Sequence, residues 1–112
     1  MKLVIAIIQP HRLEKVRESL TAIGIEGMTV SEVRGYGRQK GHTEIYRGAE
    51  YQISFLPKLK LEVAVQDDRV NDVITTVTQA TRTGKIGDGK IFVVDLEQAL
   101  RVRIGQTAHE AL

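Results

Sequence analysis

The sequence predicts an α+β fold in which one β-α-β unit is used twice, and three observations carry that prediction. Short apolar or alternating runs at residues 3–8, 28–33, 59–65 and 91–94 have the period of strands. Between the members of each pair, apolar residues recur every three or four positions: Leu13, Val16, Leu20 and Ile23, then Val70, Val73, Ile74, Val77 and Ala80. Setting Leu3 against Leu61 brings Leu13, Val16 and Leu20 within a residue or so of Val70, Val73 and Val77. Tandem β-α-β units give a ferredoxin-like sandwich, with the helices on one face of an antiparallel sheet.

Each element has its own local reason. Residues 3–8 are apolar on both faces, as in a buried strand. Pro10 stops that strand and suits the first turn of a helix, and Gly24 suits the helix C-terminus. Met28, Val30 and Val33 are interleaved with Thr29, Ser31 and Glu32, giving a second strand. Leu59, Leu61, Val63 and Val65 alternate with Lys60, Glu62 and Ala64, giving a half-buried third. Asp67 and Asp68 stand where the second helix needs its N-cap, with their charge on the positive end of the dipole. Gly84 follows that helix, and residues 91–94 close the unit. The sheet face away from the helices is bare, and an apolar first strand is costly to leave in water, so self-association is expected.

Composition excludes several classes of function. At 112 residues the chain is one domain with room for a core. The absence of cysteine rules out disulfides and thiolate metal sites. The opening apolar run of about six residues is too short for a signal peptide or a membrane span, so a cytoplasmic protein with no membrane insertion is expected. A formal charge of +2, scattered along the chain, gives no argument for a nucleic-acid partner. Order is expected to fail only in residues 105–112.

Two stretches carry chemistry. Residues 83–90, Thr-Gly-Lys-Ile-Gly-Asp-Gly-Lys, concentrate glycine and lysine as an anion cradle does, since glycine lets backbone N–H groups approach a phosphate. Gly84, Gly89 and Lys90 nearly spell a Walker A loop, but Ile91 replaces its magnesium-binding Ser/Thr and a strand follows instead of a helix. A magnesium ion there needs another holder. Residues 37–57 form a connection far beyond the usual length of about four to six. It holds Arg38, Gln39, Lys40, His42, Glu44, Arg47 and Glu50 with Tyr46, Tyr51 and Phe55, and reads as a recognition or switch element. Arg101 and Arg103 alternate along an expected extended piece, 99–104, so both guanidinium groups leave by one face.

These motifs match a known family. Residues 46–51, Tyr-Arg-Gly-Ala-Glu-Tyr, the 83–93 segment and residues 35–42, Gly-Tyr-Gly-Arg-Gln-Lys-Gly-His, resemble the signatures of bacterial PII nitrogen-regulatory signal-transduction proteins. The resemblance runs from Met1 to about Gly105 without an insertion. It implies a single domain over 1–112 and a homotrimer, with a T-loop at about 37–55, a B-loop at about 82–90 and a C-terminal segment at about 101–112. It also implies ATP or ADP between subunits, with Mg2+ and 2-oxoglutarate beside ATP. The output is regulatory rather than enzymatic: control of an ammonium channel, which recruits the protein to the membrane, or of the nucleotidyltransferases that govern glutamine synthetase.

The resemblance assigns residues one by one. Thr29, Gly37, Arg38, Gln39, Glu62, Ala64, Gly87, Asp88, Gly89, Lys90, Arg101, Val102 and Arg103 match positions around the nucleotide. Gly37, Arg38, Gln39, Lys58 and Gly87 match the 2-oxoglutarate site, Lys58 pairing with the distal carboxylate. Gln39 matches the residue that helps hold magnesium, for which a neutral carbonyl oxygen is suited. Tyr51 matches the tyrosine that is uridylylated to O-UMP-tyrosine, and Arg47 the loop tip that meets the channel. Ala49 stands where phosphorylated members have serine. Gln9, His11 and Gln66 depart from the commonest pattern, with lysine, an aromatic and proline being common there. An RNA-binding module on the same fold is the alternative, but it needs several aromatics on the sheet and the strands offer essentially Phe92 alone. A small phosphatase or nucleotide kinase would need a nucleophile–base pair, and none stands out.

Overall fold

A computed structural model of the chain describes residues 1–36, 44–46, 49–51 and 55–112. Strand β1 (Lys2–Ile8) leads through a 3-10 turn at Pro10–Arg12 into helix α1 (Leu13–Ala22) and strand β2 (Thr29–Gly35). Strands β3 (Glu44–Tyr46) and β4 (Ala49–Tyr51) pair with each other between the halves. The second half is strand β5 (Leu56–Val65), a 3-10 turn at Asp67–Arg69, helix α2 (Val70–Thr81) and strand β6 (Gly89–Asp95). A small hairpin of β7 (Leu100–Arg101) and β8 (Gln106–Thr107) follows, then a 3-10 turn at Ala108–Ala111.

The main sheet is antiparallel with the order β2-β5-β1-β6. This is the ferredoxin-like arrangement that the duplicated pattern predicts: β1 and β2 run parallel with β5 inserted between them. Alternation along β1 divides its side chains between two environments. Val4, Ala6 and Ile8 meet Val16 and Leu20 of α1, Val73, Val77 and Ala80 of α2, and Leu61, Val63 and Val65 of β5 in one core. Each large apolar side chain so buried contributes about 1.5–3 kcal/mol. Leu3, Ile5 and Ile7 point the other way and share the open face with Phe92 and Val94, both exposed. The register draws one row across that face: Thr29, Glu62, Ile5, Phe92.

Gly24 ends α1 as expected. Its φ is +87°, the Ile25 N–H donates to the Leu20 carbonyl at 2.9 Å, and the Gly24 N–H donates to that of Thr21 at 3.0 Å, a Schellman cap. The second helix differs from expectation. Arg69 takes its N-cap position without a side-chain bond, and Asp67 lies in the preceding 3-10 turn, where it accepts from the Met1 ammonium at 2.7 Å. A terminal cation is the stronger partner for that carboxylate.

Three boundaries also differ. Strand β5 begins at Leu56 and contains Pro57, which has no N–H to give a ladder; it is tolerated because β1 pairs only as far as Leu59, leaving Pro57 with only Arg34 of β2 opposite it. Strand β6 begins at Gly89, drawn into the sheet by pairing with Ile8 despite its weak intrinsic preference. Residues 105–112, expected to be irregular, form β8 and the final 3-10 turn.

Candidate functional site

The loop between α2 and β6 is built around one carboxylate. Asp88 accepts from the Thr83 N–H at 2.6 Å, the Gly84 N–H at 2.9 Å and the Thr83 hydroxyl. Those bonds, the Thr83 hydroxyl foremost, hold its carboxyl below the usual carboxylate range. An aspartate beside a phosphate would repel it, but this one is spent on its own loop. Its place in the site is to shape the backbone. Gly87 and Gly89 have φ of +102° and +120°. A Cβ on Gly89 would stand 1.9 Å from the Ile7 carbonyl oxygen, so close passage of β1 requires glycine there. Lys90 follows on the open face, paired in register with Ile7, and is exposed.

Lys58 reaches this loop from β5. Its side chain crosses Gly35, where a Cβ would stand 3.2 Å from Lys58 Cγ, and its Nζ donates to the Gly87 carbonyl at 3.0 Å. The residue is only 8% exposed. Burial pushes its ammonium below the usual lysine range, partly offset by the Asp88 charge. Among the described residues it forms no ion pair, so a buried cation has a neutral oxygen as its partner. A carboxylate is a better partner for that ammonium than a carbonyl.

A second group of expected residues gathers elsewhere. Thr29 of β2, Glu62 and Ala64 of β5, and Arg101 of β7 line one open cavity of about 990 Å³. Residues 24–28 form another wall, and Ala111 and Leu112 also line it. Arg101 Nη2 donates to the carbonyls of Ala111 and Leu112 at 3.3 and 3.4 Å. Thr29 and Gly89 lie on opposite edges of the sheet. Strand spacing and rise separate them by about 14 Å across and about 10 Å along.

Arg103 does not share a strand with Arg101. The chain turns immediately after Arg101, with the Gly105 N–H donating to the Arg101 carbonyl at 2.8 Å and Gly105 at φ +73°. The extended piece expected over 99–104 is a tight hairpin, so alternation places nothing there. Val102 and Arg103 sit in its turn, and Val102 is 89% exposed. Gly37, Arg38, Gln39 and Arg47 lie outside the described residues. Tyr51 ends β4 with its backbone opposite Glu44. Strands of three residues are too short to show a period, which is why sequence patterning left this hairpin unseen.

Two further residues belong to the site on geometry. Thr83 supplies two of the three donors that fix Asp88, the third being the Gly84 N–H. Gln9 Nε2 donates to the same Gly87 carbonyl as Lys58, at 3.0 Å. No spacing in the sequence marks Gln9; the fold brings it to the loop because it lies one residue beyond a strand whose last residue pairs with Gly89.

Comparison with known proteins bears on all of this. Residues 1–106 match the family model for nitrogen regulatory protein P-II. Over 112 residues and the full length of both chains, the sequence is 60% identical to the nitrogen regulatory protein P-II of Rhizobium etli. On the same coverage it is 58% identical to the nitrogen regulatory protein GlnK of Escherichia coli K12 and 54% identical to that organism's nitrogen regulatory protein P-II 1. With its fold, its glycine-lysine loop and relatives of this similarity over its entire length, the chain belongs to the P-II family of nitrogen regulatory proteins.

Proposed function

We propose that the chain is a non-enzymatic signal-transduction regulator that senses ATP, ADP and 2-oxoglutarate and passes the result to partner proteins through residues 37–55. Supporting this is the division of the nucleotide-cleft residues into two groups on opposite sheet edges, one suited to a base and one to phosphates. Each group is half of a pocket. A homotrimer pairs the Thr29, Glu62, Ala64 and Arg101 edge of one subunit with the Gly87–Lys90 loop of the next, Arg101, Val102 and Arg103 reaching across the boundary.

In this arrangement the N–H groups of 87–90 and the Lys90 ammonium receive the phosphates, and Asp88 keeps those N–H groups in place. ATP and ADP compete for the cleft. The Gln39 carbonyl oxygen would help hold a magnesium ion carried by the triphosphate, which would supply positive charge for an acid effector. The acid effector meets that ion, Gly37, Arg38 and Gln39, while its distal carboxylate takes the buried Lys58 ammonium. Since Mg-ATP forms part of the pocket, the two ligands bind cooperatively, with coupling of about 1–3 kcal/mol and equal in both directions. Recruiting residues 37–39 changes the loop that presents Arg47 and Tyr51, and O-uridylylation of Tyr51 adds a bulky phosphodiester to it. The partners are an ammonium channel or the nucleotidyltransferases of glutamine synthetase control.

Complementation between subunits tests this. Ala64→Leu spoils the base half and Lys90→Glu the phosphate half, so neither variant binds ATP in equilibrium dialysis. Co-expressed at equal levels, they regain about a quarter of the sites, because random neighbours pair two intact halves one time in four. No recovery in a verified mixed oligomer, or full ATP binding by an isolated subunit, overturns the reading.

A further inference from the structure

Gln9 and Lys58 converge on one acceptor. The Gln9 amide comes from the end of β1, the Lys58 ammonium from β5, and both lie 3.0 Å from the Gly87 carbonyl oxygen. A carbonyl oxygen has two lone pairs, so both bonds form together. Gly87 sits at φ +102° in a loop whose start is tied to Asp88, and these two donors fasten Gly87 to the end of β1 and to β5. Lys58 cannot serve Gly87 and a ligand carboxylate equally well. A carboxylate that draws it away orphans the carbonyl unless a second donor stays behind.

We infer that Gln9 is that second donor, a positioning residue that holds Gly87 while Lys58 is exchanged onto an incoming carboxylate, and so sets how tightly the acid effector binds. The inference rests on the proposed role of Lys58 but names a residue to which that role assigns nothing. Gln9 acts only through Gly87 and touches no ligand. A neutral amide suits the task, since it keeps its bond to a carbonyl whatever charge arrives alongside. A glutamate at this position would accept from Lys58 and compete with the ligand.

The test compares wild type with Gln9→Met, which keeps the volume and removes the donor, and Gln9→Lys, which restores a donor of similar reach. Amide hydrogen exchange of residues 83–90 in the ligand-free protein reads the fastening. It is expected to quicken about fivefold to tenfold in Gln9→Met and to return to near wild type in Gln9→Lys. Calorimetry at saturating Mg-ATP is expected to show 2-oxoglutarate bound about fivefold to tenfold more weakly by Gln9→Met. Unchanged exchange in Gln9→Met overturns the fastening, and unchanged acid affinity overturns its role in binding. A wild-type protein that binds no 2-oxoglutarate removes the proposed effector instead, and exchange still decides whether Gln9 holds the loop.

Discussion

Thr83 gives both its backbone N–H and its hydroxyl to the carboxylate of Asp88, five residues further on. With the Gly84 N–H added, the carboxylate closes the phosphate-type loop upon itself before any ligand arrives. The folded state favours the charged form of Asp88, so its pKa lies lower there than in the unfolded chain. Its contribution to loop order is therefore complete above the usual carboxylate range and is lost as pH falls through the lower, folded value. In a pH titration followed by NMR, the Thr83 and Gly84 amide resonances should move with a midpoint below that of a free aspartate. A midpoint at or above the free value contradicts the geometry.

The glycines of the loop are not equivalent. Gly89 faces the Ile7 carbonyl across a gap that no Cβ fits, whereas Gly84 at φ +85° faces open space. Gly84→Ala should cost only the left-handed backbone penalty, about 1–2 kcal/mol. Gly89→Ala should cost more than about 3 kcal/mol, by parting the start of β6 from β1. Urea denaturation midpoints of the two variants give the comparison directly.

Lys58 should be a liability in the empty protein and necessary in the loaded one. Its folded pKa is lowered by burial, so across the interval from that value up to the usual lysine range the unfolded chain holds more protons. Stability then rises with pH over that interval, and Lys58→Met should abolish the rise. The same variant should weaken 2-oxoglutarate binding at least about thirtyfold, the usual result of removing one partner from a buried charge pair. A pH-independent stability difference between wild type and variant would remove the burial argument.

The open face of the sheet should be an assembly surface. Ile5 lies between Glu62 and Phe92 in register, and Phe92 is exposed. Phe92→Lys puts a charge in the middle of that patch. Light scattering should show a wild-type mass of about three times 12.5 kDa falling toward one subunit in the variant. An unchanged mass excludes this face from the assembly.

Most of the fold is legible because burial and periodicity coincide. Val4, Ala6 and Ile8 alternate with Leu3, Ile5 and Ile7, and the helical stripes of Val16, Leu20, Val73 and Val77 meet them in the core. What stays hidden depends on partners distant in sequence. Asp67 looks like a helix cap until the Met1 ammonium is found beside it. Arg101 and Arg103 look like strand neighbours until Gly105 turns the chain between β7 and β8. The glycine-lysine loop announces an anion site, but no spacing rule could reveal that Gln9, near the other end of the chain, shares the Gly87 carbonyl with Lys58.

Strand β1 is flanked on both sides, by β5 and by β6, and neither neighbour is close in sequence. The ribosome therefore releases the innermost strand first and its second flank more than eighty residues later. At about 5–20 residues per second that wait is on the order of ten seconds. Throughout it, Leu3 to Ile8 has an unpaired backbone edge and apolar side chains pointing both ways. The nascent chain is thus most prone to sticking early, and any shortened product that stops before Gly89 keeps that edge permanently open.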